Sequence, residues 1–171
     1  MSEDAPSAAD STPSQGVSPV RLVGQYIKDL SFEVPGAPQI FSAVAQAPVN
    51  LSVSVNVRSH HAGESTYEVT LQFHIGATTG EHTAFLIELS YGCIVMLDET
   101  VIPQDQIHPL LHIEVPRLMF PFPRQIISDL CAQGGFPQLM LQIIDFGELY
   151  AKRYGIAMQN AEPVEAPPTI N

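Results

Sequence analysis

Apolar and polar residues alternate strictly along two segments in the first half of the chain. Between residues 49 and 58 every second residue is Val or Leu, and the residues between them are Asn, Ser or Arg. The same alternation runs from Tyr67 to Ile75. A period of two is typical of a β-strand with one buried and one solvated face. The polar residues 59–65 that separate the two segments indicate a hairpin loop.

Two further strands are predicted on either side of this pair. Residues 78–81 contain a turn signal, and a longer apolar strand follows from about Thr83 to Leu97. An earlier strand runs from about Val20 to Val34. In this strand we expect two opposite faces, with Tyr26, Lys28, Leu30 and Phe32 on one and Ile27, Asp29, Ser31 and Glu33 on the other. Prolines at 35, 38 and 48 predict a crossover loop between it and the next strand.

Two helices are predicted in the second half of the chain. Apolar residues recur at helical spacing after Pro123, a residue that the first turn of a helix tolerates, and Gly134 and Gly135 are expected to end this helix. Asp145 and Glu148 resemble a capping box at the start of a second amphipathic helix. Strands followed by helices predict an α+β fold.

The two ends of the chain differ in composition from the segment between them. Residues 1–19 and 158–171 are rich in Pro, small residues and acids, so we expect two disordered tails around one domain of residues 20–157. No stretch approaches the roughly 20 apolar residues of a membrane helix. The N-terminal residues lack the basic and apolar regions of a secretory signal. With two cysteines and no CxxC motif, we expect a protein of the reducing cytoplasm.

The net charge excludes some partners. Eighteen acidic residues stand against seven Lys and Arg, which gives a formal charge of −11. Nucleic acid and anionic lipid both need clustered cations, so neither is expected as a partner. A basic peptide or protein remains compatible with this charge.

The sequence offers little for catalysis. It contains no GxSxG, GxxxxGK or GxGxxG motif, and Cys93 lies in an apolar run where buried, inert thiols are common. His108 and His112 have the spacing of a helical metal pair, but a glutamate of the HExxH type is missing and Pro109 disfavours a helix there. We therefore expect no enzymatic activity, cofactor or metal site. The histidines are interpreted as incidental, His108 and His112 on the surface, His60 and His61 in a loop, and His74 and His82 near a hairpin.

Acidic residues recur on single strand faces. Asp29 and Glu33 share one face of the first strand, and Leu86 and Glu88 share one face of the fourth. If these strands are neighbours, Asp29, Glu33 and Glu88 form one acidic patch. An ordinary solvated sheet face is the alternative interpretation.

Several large apolar residues lie on loops or at the ends of elements. They are Phe41, Phe120, Phe122, Phe136, Leu139, Met140 and Leu141. Such residues either seal the core or line a groove between a helix and the crossover loop, as in sites of apolar recognition.

Several segments, taken together, resemble the SecB protein-export chaperones. These segments are residues 26–35 (YIKDLSFEVP), 37–41 (APQIF), 67–71 (YEVTL), 81–88 (EHTAFLIE), 119–125 (MFPFPRQ) and 135–139 (GFPQL). They correspond, in order, to the family's first strand, its continuation, the third and fourth strands and the helical half. The resemblance spans about residues 25–150. Pro123 stands where the family usually has Ala, which fixes the angle at which the helix begins.

This resemblance implies a four-stranded antiparallel sheet of order 2-3-4-1, with a crossover loop after strand 1 and two helices after strand 4. It implies an ATP-independent holdase that binds unfolded secretory precursors, keeps them competent for translocation and delivers them to the SecA translocation ATPase. Members of the family are homotetramers, built as dimers of dimers. A SecB-like chaperone dedicated to one client, such as an antitoxin, is the alternative.

The resemblance also implies roles for particular residues. Asp29, Glu33, Leu86 and Glu88 correspond to the positions that bind SecA. Ile87, Leu89 and Tyr91 lie on the opposite face, where the family couples assembly to client binding. We expect the client groove to include Phe41, Phe120, Phe122, Phe136, Leu139 and Leu141. In this family the zinc belongs to SecA, so no metal ligands are expected in this chain.

Overall fold

The computed structural model of the chain describes residues 18–155. Four strands form one antiparallel sheet: β1 (Val20–Glu33), β2 (Asn50–Gly63), β3 (Thr66–Thr79) and β4 (His82–Leu97). Their order is β1-β4-β3-β2, which confirms the expected order 2-3-4-1. The crossover between β1 and β2 contains one short helix, α1 (Ile40–Val44). The expected disordered tails, 1–19 and 158–171, lie outside the described residues except for residues 18 and 19.

The prediction of a polar hairpin loop at residues 59–65 is wrong. Residues 59–63 continue β2 and pair with β3, so that only Glu64 and Ser65 form the turn. Ser65 has a φ of 52°, a left-handed conformation that closes this tight connection. β2 is an outer strand, and its residues 59–63 are exposed apart from the half-buried Ser59, so polar residues occupy both of its faces there. Alternation therefore fails to mark it as a strand.

The expected faces of β1 are correct only from Asp29 to Glu33. The pairing of β1 with β4 shifts between Ile27 and Asp29, so that Lys28 is an extra residue in a bulge. The bulge inverts the alternation before it. Tyr26 therefore lies opposite Gly92 on the solvated face, and Ile27 lies on the helix-covered face, the reverse of the prediction.

The helical half contains both predicted helices and additional helical residues. The predicted pair corresponds to α4 (Pro121–Gln133) and α5 (Phe146–Tyr154). Before them lie α2 (Gln104–Pro109), a π-helical turn (Leu110–Glu114) and α3 (Val115–Met119).

The expectation that Pro109 disfavours a helix at His108 is wrong, since Pro109 lies inside α2. Pro109 and Pro116 each lack the N–H of a regular helix. The wider π turn lies between these two prolines and lets the helical path continue.

The core lies between one face of the sheet and the helices. Alternate residues of β3 and β4 are buried there, including Leu71, Phe73 and Leu89, and Met119 and Ile127 cover them from the helices. The other sheet face is solvated. Within residues 18–155 no helix is both long and apolar enough to span a bilayer.

The expectation for Cys93 as a buried thiol is confirmed. Both cysteines are free and buried, and burial raises the pKa of the Cys93 thiol to about 11. Because only the thiolate is strongly nucleophilic, this group is inert at neutral pH.

Candidate functional site

The solvated sheet face brings the predicted acidic residues together. The register of β1 and β4 places Glu33 opposite Leu86, and Glu88 opposite Ser31. Asp29 lies on the same face opposite Ser90. We call Asp29, Glu33, Leu86 and Glu88 the acidic patch. All four of these side chains are exposed.

His74 belongs to this surface and was not predicted to have a role there. It lies opposite Glu88 in the register of β3 and β4, and its Nδ1 atom is 3.3 Å from Glu88 Oε1. A shallow concavity of about 340 Å³ has Glu33, Leu86, Glu88 and His74 in its wall. Alternation identifies the solvated face of His74, but its neighbour follows only from the register, which the sequence pattern does not contain.

A second cluster lies further along the same face. Lys28 Nζ donates to both carboxylate oxygens of Glu68, at 2.7 and 2.8 Å, and the Tyr26 hydroxyl donates to Glu68 Oε1 at 2.5 Å. The hydrogen bonds from Lys28 and Tyr26 lower the pKa of Glu68, and the bond to this carboxylate raises the pKa of Tyr26 to about 12. The charge of Glu68 is therefore compensated within the chain.

Gly92 allows this cluster to form. A Cβ atom at this position would lie 2.8 Å from the Tyr26 ring, closer than side chains pack. The absence of a side chain lets the ring lie flat across β4 and reach Glu68.

The predicted groove residues centre on Phe136. The centroid of its ring lies 5.3 Å from that of Phe41 and 4.9 Å from that of Phe85. Phe136 is buried, whereas 40% of Phe41 is exposed at the rim of this cluster. Gly134 does more than end α4, because a Cβ there would overlap the Phe32 ring below it.

The other groove residues divide between surface and core. Phe122 stacks on Tyr91 with ring centroids 6.5 Å apart and remains 49% exposed. Phe120 is buried between Phe73 and Phe146. Of the last two groove residues, Leu139 is half-buried and Leu141 is buried. The accessible members of the predicted set are therefore Phe41, Phe122 and part of Leu139.

Exposed apolar residues on β2 were missed. Leu51 and Val53 point toward the helix side of the sheet, yet they are 49% and 45% exposed. Strict alternation marks both residues as inward-facing. It does not show that this end of the outer strand extends beyond the helices.

The residues expected to couple assembly to client binding lie on the face opposite the acidic patch. Ile87, Leu89 and Tyr91 are buried beneath the helices of the chain itself. Since these three residues are part of the core, a substitution there would alter core packing in the first place.

His108 lies on α2 and His112 on the π-helical turn, and both rings pack against α5. His108 Nδ1 is 2.8 Å from the Tyr150 hydroxyl, and His112 Nδ1 is 3.0 Å from the His108 carbonyl oxygen. His112 is buried, contrary to the expectation of a surface residue, and burial lowers its pKa. Among residues 18–155 no group of three or more His, Cys, Asp or Glu could hold a metal ion. His60 and His61, expected in a loop, lie on β2.

Comparison with known proteins bears on the family and on the fold of the chain. The sequence model of the family described as "SecB: Preprotein translocase subunit SecB" matches residues 14–156. The protein-export protein SecB of Rhodospirillum rubrum is 43% identical over 150 residues, which are 88% of this chain and 91% of the relative. That of Granulibacter bethesdensis is 44% identical over 161 residues, which are 90% of this chain and 92% of the relative.

A solved structure supports the fold alone. It is a SecB-like chaperone of Mycobacterium tuberculosis in complex with a peptide from an antitoxin, at 13% identity and a TM-score of 0.62. The similarity covers 73% of this chain and 90% of that one. On the family match and the two curated relatives, the chain belongs to the SecB family, whose members are protein-export chaperones and not enzymes.

Proposed function

We propose that the chain is an ATP-independent holdase that binds unfolded secretory precursors in the cytoplasm and delivers them to the SecA ATPase. It does this as a homotetramer, a dimer of dimers, without a cofactor, nucleic acid or insertion into the membrane. The observation that carries the proposal is the separation of two surfaces. The acidic patch lies on one face of the sheet, and the exposed apolar residues Phe41, Phe122, Leu51 and Val53 lie on the helix side.

The acidic patch supports docking of a basic partner. Its carboxylates are exposed, and none of Asp29, Glu33 and Glu88 is paired with a Lys or Arg within residues 18–155. Exposed charges of one sign attract an oppositely charged surface and orient it during encounter. The exposed Leu86, which lies opposite Glu33, adds an apolar contact at one end of the patch.

The apolar surface supports capture of clients without sequence specificity. Burying about 400 Å² of apolar area yields on the order of 10 kcal/mol before costs. Ordering a flexible client cancels much of this gain, so one site binds weakly. Repeating the site in a tetramer would raise the overall affinity for the client, because once one site has bound, the others meet the client at a high effective concentration.

A chaperone dedicated to one client is the second candidate. Its support is the antitoxin peptide bound to the Mycobacterium tuberculosis chaperone, a protein that shares only 13% identity with this chain. Relatives with about 40% identity carry the name of protein-export proteins, which favours the general holdase. Pull-down of the chain would distinguish the two, since a general holdase recovers many precursors and a dedicated one recovers a single partner.

The experiment that tests the docking surface is a charge reversal, Glu33→Lys with Glu88→Lys. We expect affinity for SecA to fall at least about tenfold at low salt, where screening is least. Capture of an unfolded precursor should stay unchanged, because its surface lies on the other side of the sheet. The matched control is Glu64→Lys with Glu114→Lys, which changes the net charge equally at exposed positions outside the patch. Equal loss of SecA affinity in both variants, or none in either, would show that the patch is not the docking site.

A further inference from the structure

We propose that the solvated sheet face recognises a bipolar segment of its partner, with basic residues at one end and carboxylates at the other. The inference rests on the proposed docking of a basic partner at the acidic patch. It adds a second subsite, the cationic cleft, which we define as the concavity lined by Lys28, Arg58, His60 and Glu68. This concavity has a volume of about 550 Å³, and Asp29 of the acidic patch is one of its lining residues, on β1 at the opposite edge of the sheet from Arg58 on β2.

The register of the sheet fixes the spacing of the two subsites. Glu33 lies beside Leu86, whereas Arg58 lies opposite Thr70, which lies opposite Gly92. Strand residues rise about 3.4 Å each, so the six residues from Leu86 to Gly92 separate the two rows by about 20 Å. Glu33 on β1 and Arg58 on β2 are also three strand spacings apart, about 14 Å across the sheet, so a partner segment of about seven extended residues would span the diagonal of about 25 Å between them.

The charges of the cleft are not equivalent. Glu68 is held by Lys28 and Tyr26, so its negative charge is already compensated. Arg58 is exposed and makes no ion pair with any residue between 18 and 155. The guanidinium of Arg58 is therefore the cation of this cleft with donors free for a ligand, and His60 lies on the next row of the same strand.

A bipolar segment fits this face better than a uniformly charged one. A wholly basic segment would gain contacts at Glu33 and Glu88 but would be repelled near Arg58. A carboxylate at the far end removes this repulsion and can accept two parallel hydrogen bonds from a guanidinium. The opposed charges would also fix the direction in which the segment lies, because the reversed orientation brings like charges together.

The test uses two synthetic peptides and the full chain. One peptide carries three Lys, a short neutral spacer and two Glu, and its partner carries Gln in place of the Glu. At low salt we expect the parent chain to bind the Glu peptide about fivefold to tenfold more tightly than the Gln peptide. Arg58→Gln should abolish this difference and leave the affinity for the Gln peptide unreduced. Arg117→Gln, a change of the same charge on α3, should preserve the difference.

The outcomes separate the inference from the proposed function. The inference is overturned if the parent binds both peptides equally, if it binds neither, or if Arg58→Gln weakens both to the same extent. The variant with Glu33→Lys and Glu88→Lys should lose affinity for both peptides. If both peptides bind this variant as tightly as the parent, the acidic patch itself is not a docking site, whatever Arg58 does.

Discussion

Gly92 shows how one residue affects the packing of side chains on the solvated face. The Tyr26 ring occupies the space in which a side chain of residue 92 would lie. From there the Tyr26 hydroxyl donates a hydrogen bond to Glu68, which also accepts one from Lys28. The cluster compensates a carboxylate that would otherwise extend the acidic patch along the sheet. The missing Cβ atom therefore makes room for the Tyr26 hydrogen bond, while Lys28 supplies the compensating charge.

We expect Gly92→Ala to destabilise the fold by about 1–2 kcal/mol. The clash with the Tyr26 ring costs about 1–3 kcal/mol, and the better strand propensity of Ala returns part of it. The control is Gly24→Ala on β1, where a Cβ would meet nothing within 4 Å, and its effect should stay within about 0.5 kcal/mol. Unfolding in urea measures both. Equal stability of the two variants would contradict the packing described here.

Single residues also show what the sequence could predict about the candidate site. The shared face of Glu33 and Glu88 follows from a period of two once the strands are neighbours. The positions of Tyr26 and Lys28 do not follow, because a bulge adds one residue and reverses the alternation. The sequence places Arg58 and His74 on the solvated faces of their strands, but the residues next to them depend on how the strands pair.

At the scale of elements, α5 is held at both ends and along its length. Asp145 accepts a hydrogen bond from the Glu148 N–H at 3.0 Å, which is the N-cap half of the predicted capping box, while the Glu148 side chain pairs with Lys152, and Gly155 ends the helix at a φ of 67°. Near its end Arg153 donates to the Val57 carbonyl oxygen at 3.1 Å and to Asn56 Oδ1. This side chain ties α5 to the outer strand β2.

We expect Arg153→Met to loosen α5 from β2. It removes charge-assisted hydrogen bonds from a partly buried carbonyl, which should cost about 1–2 kcal/mol. The matched control is Lys152→Met, which removes only an exposed pair with Glu148 and should cost at most about 0.5 kcal/mol. Hydrogen exchange of α5 amides should accelerate in the first variant and not in the second. Unchanged exchange in Arg153→Met would show that apolar packing alone holds the helix.

The elements that the sequence failed to predict share a physical cause. Residues 104–119 contain Pro109 and Pro116, which a sequence interpretation takes as helix breakers. The π turn between them keeps the path helical because the surrounding core holds it in place. Residues 59–63 fail as a predicted strand because no burial marks one of their faces. In both cases tertiary context outweighed a local signal.

At the scale of the whole molecule, one sheet separates two recognition surfaces. Its solvated face carries the acidic patch and the cationic cleft, and its other side carries the core and the exposed apolar residues. Alternation and helical periodicity predict the α+β class and the layers. The strand order required the resemblance to a family, because local patterns contain no information about which strands are neighbours. The exposure of Leu51 and Val53 likewise depends on how far the helices extend across the sheet.

Native mass spectrometry of the full chain, with and without a urea-denatured secretory precursor, tests the central claim most directly. The account predicts a tetramer that forms a complex with the denatured precursor, with no nucleotide present, and that does not bind the folded form of the same protein. The separation of the two surfaces further predicts that the complex persists in the Glu33→Lys, Glu88→Lys variant. A monomer that binds neither form of the precursor would contradict the account.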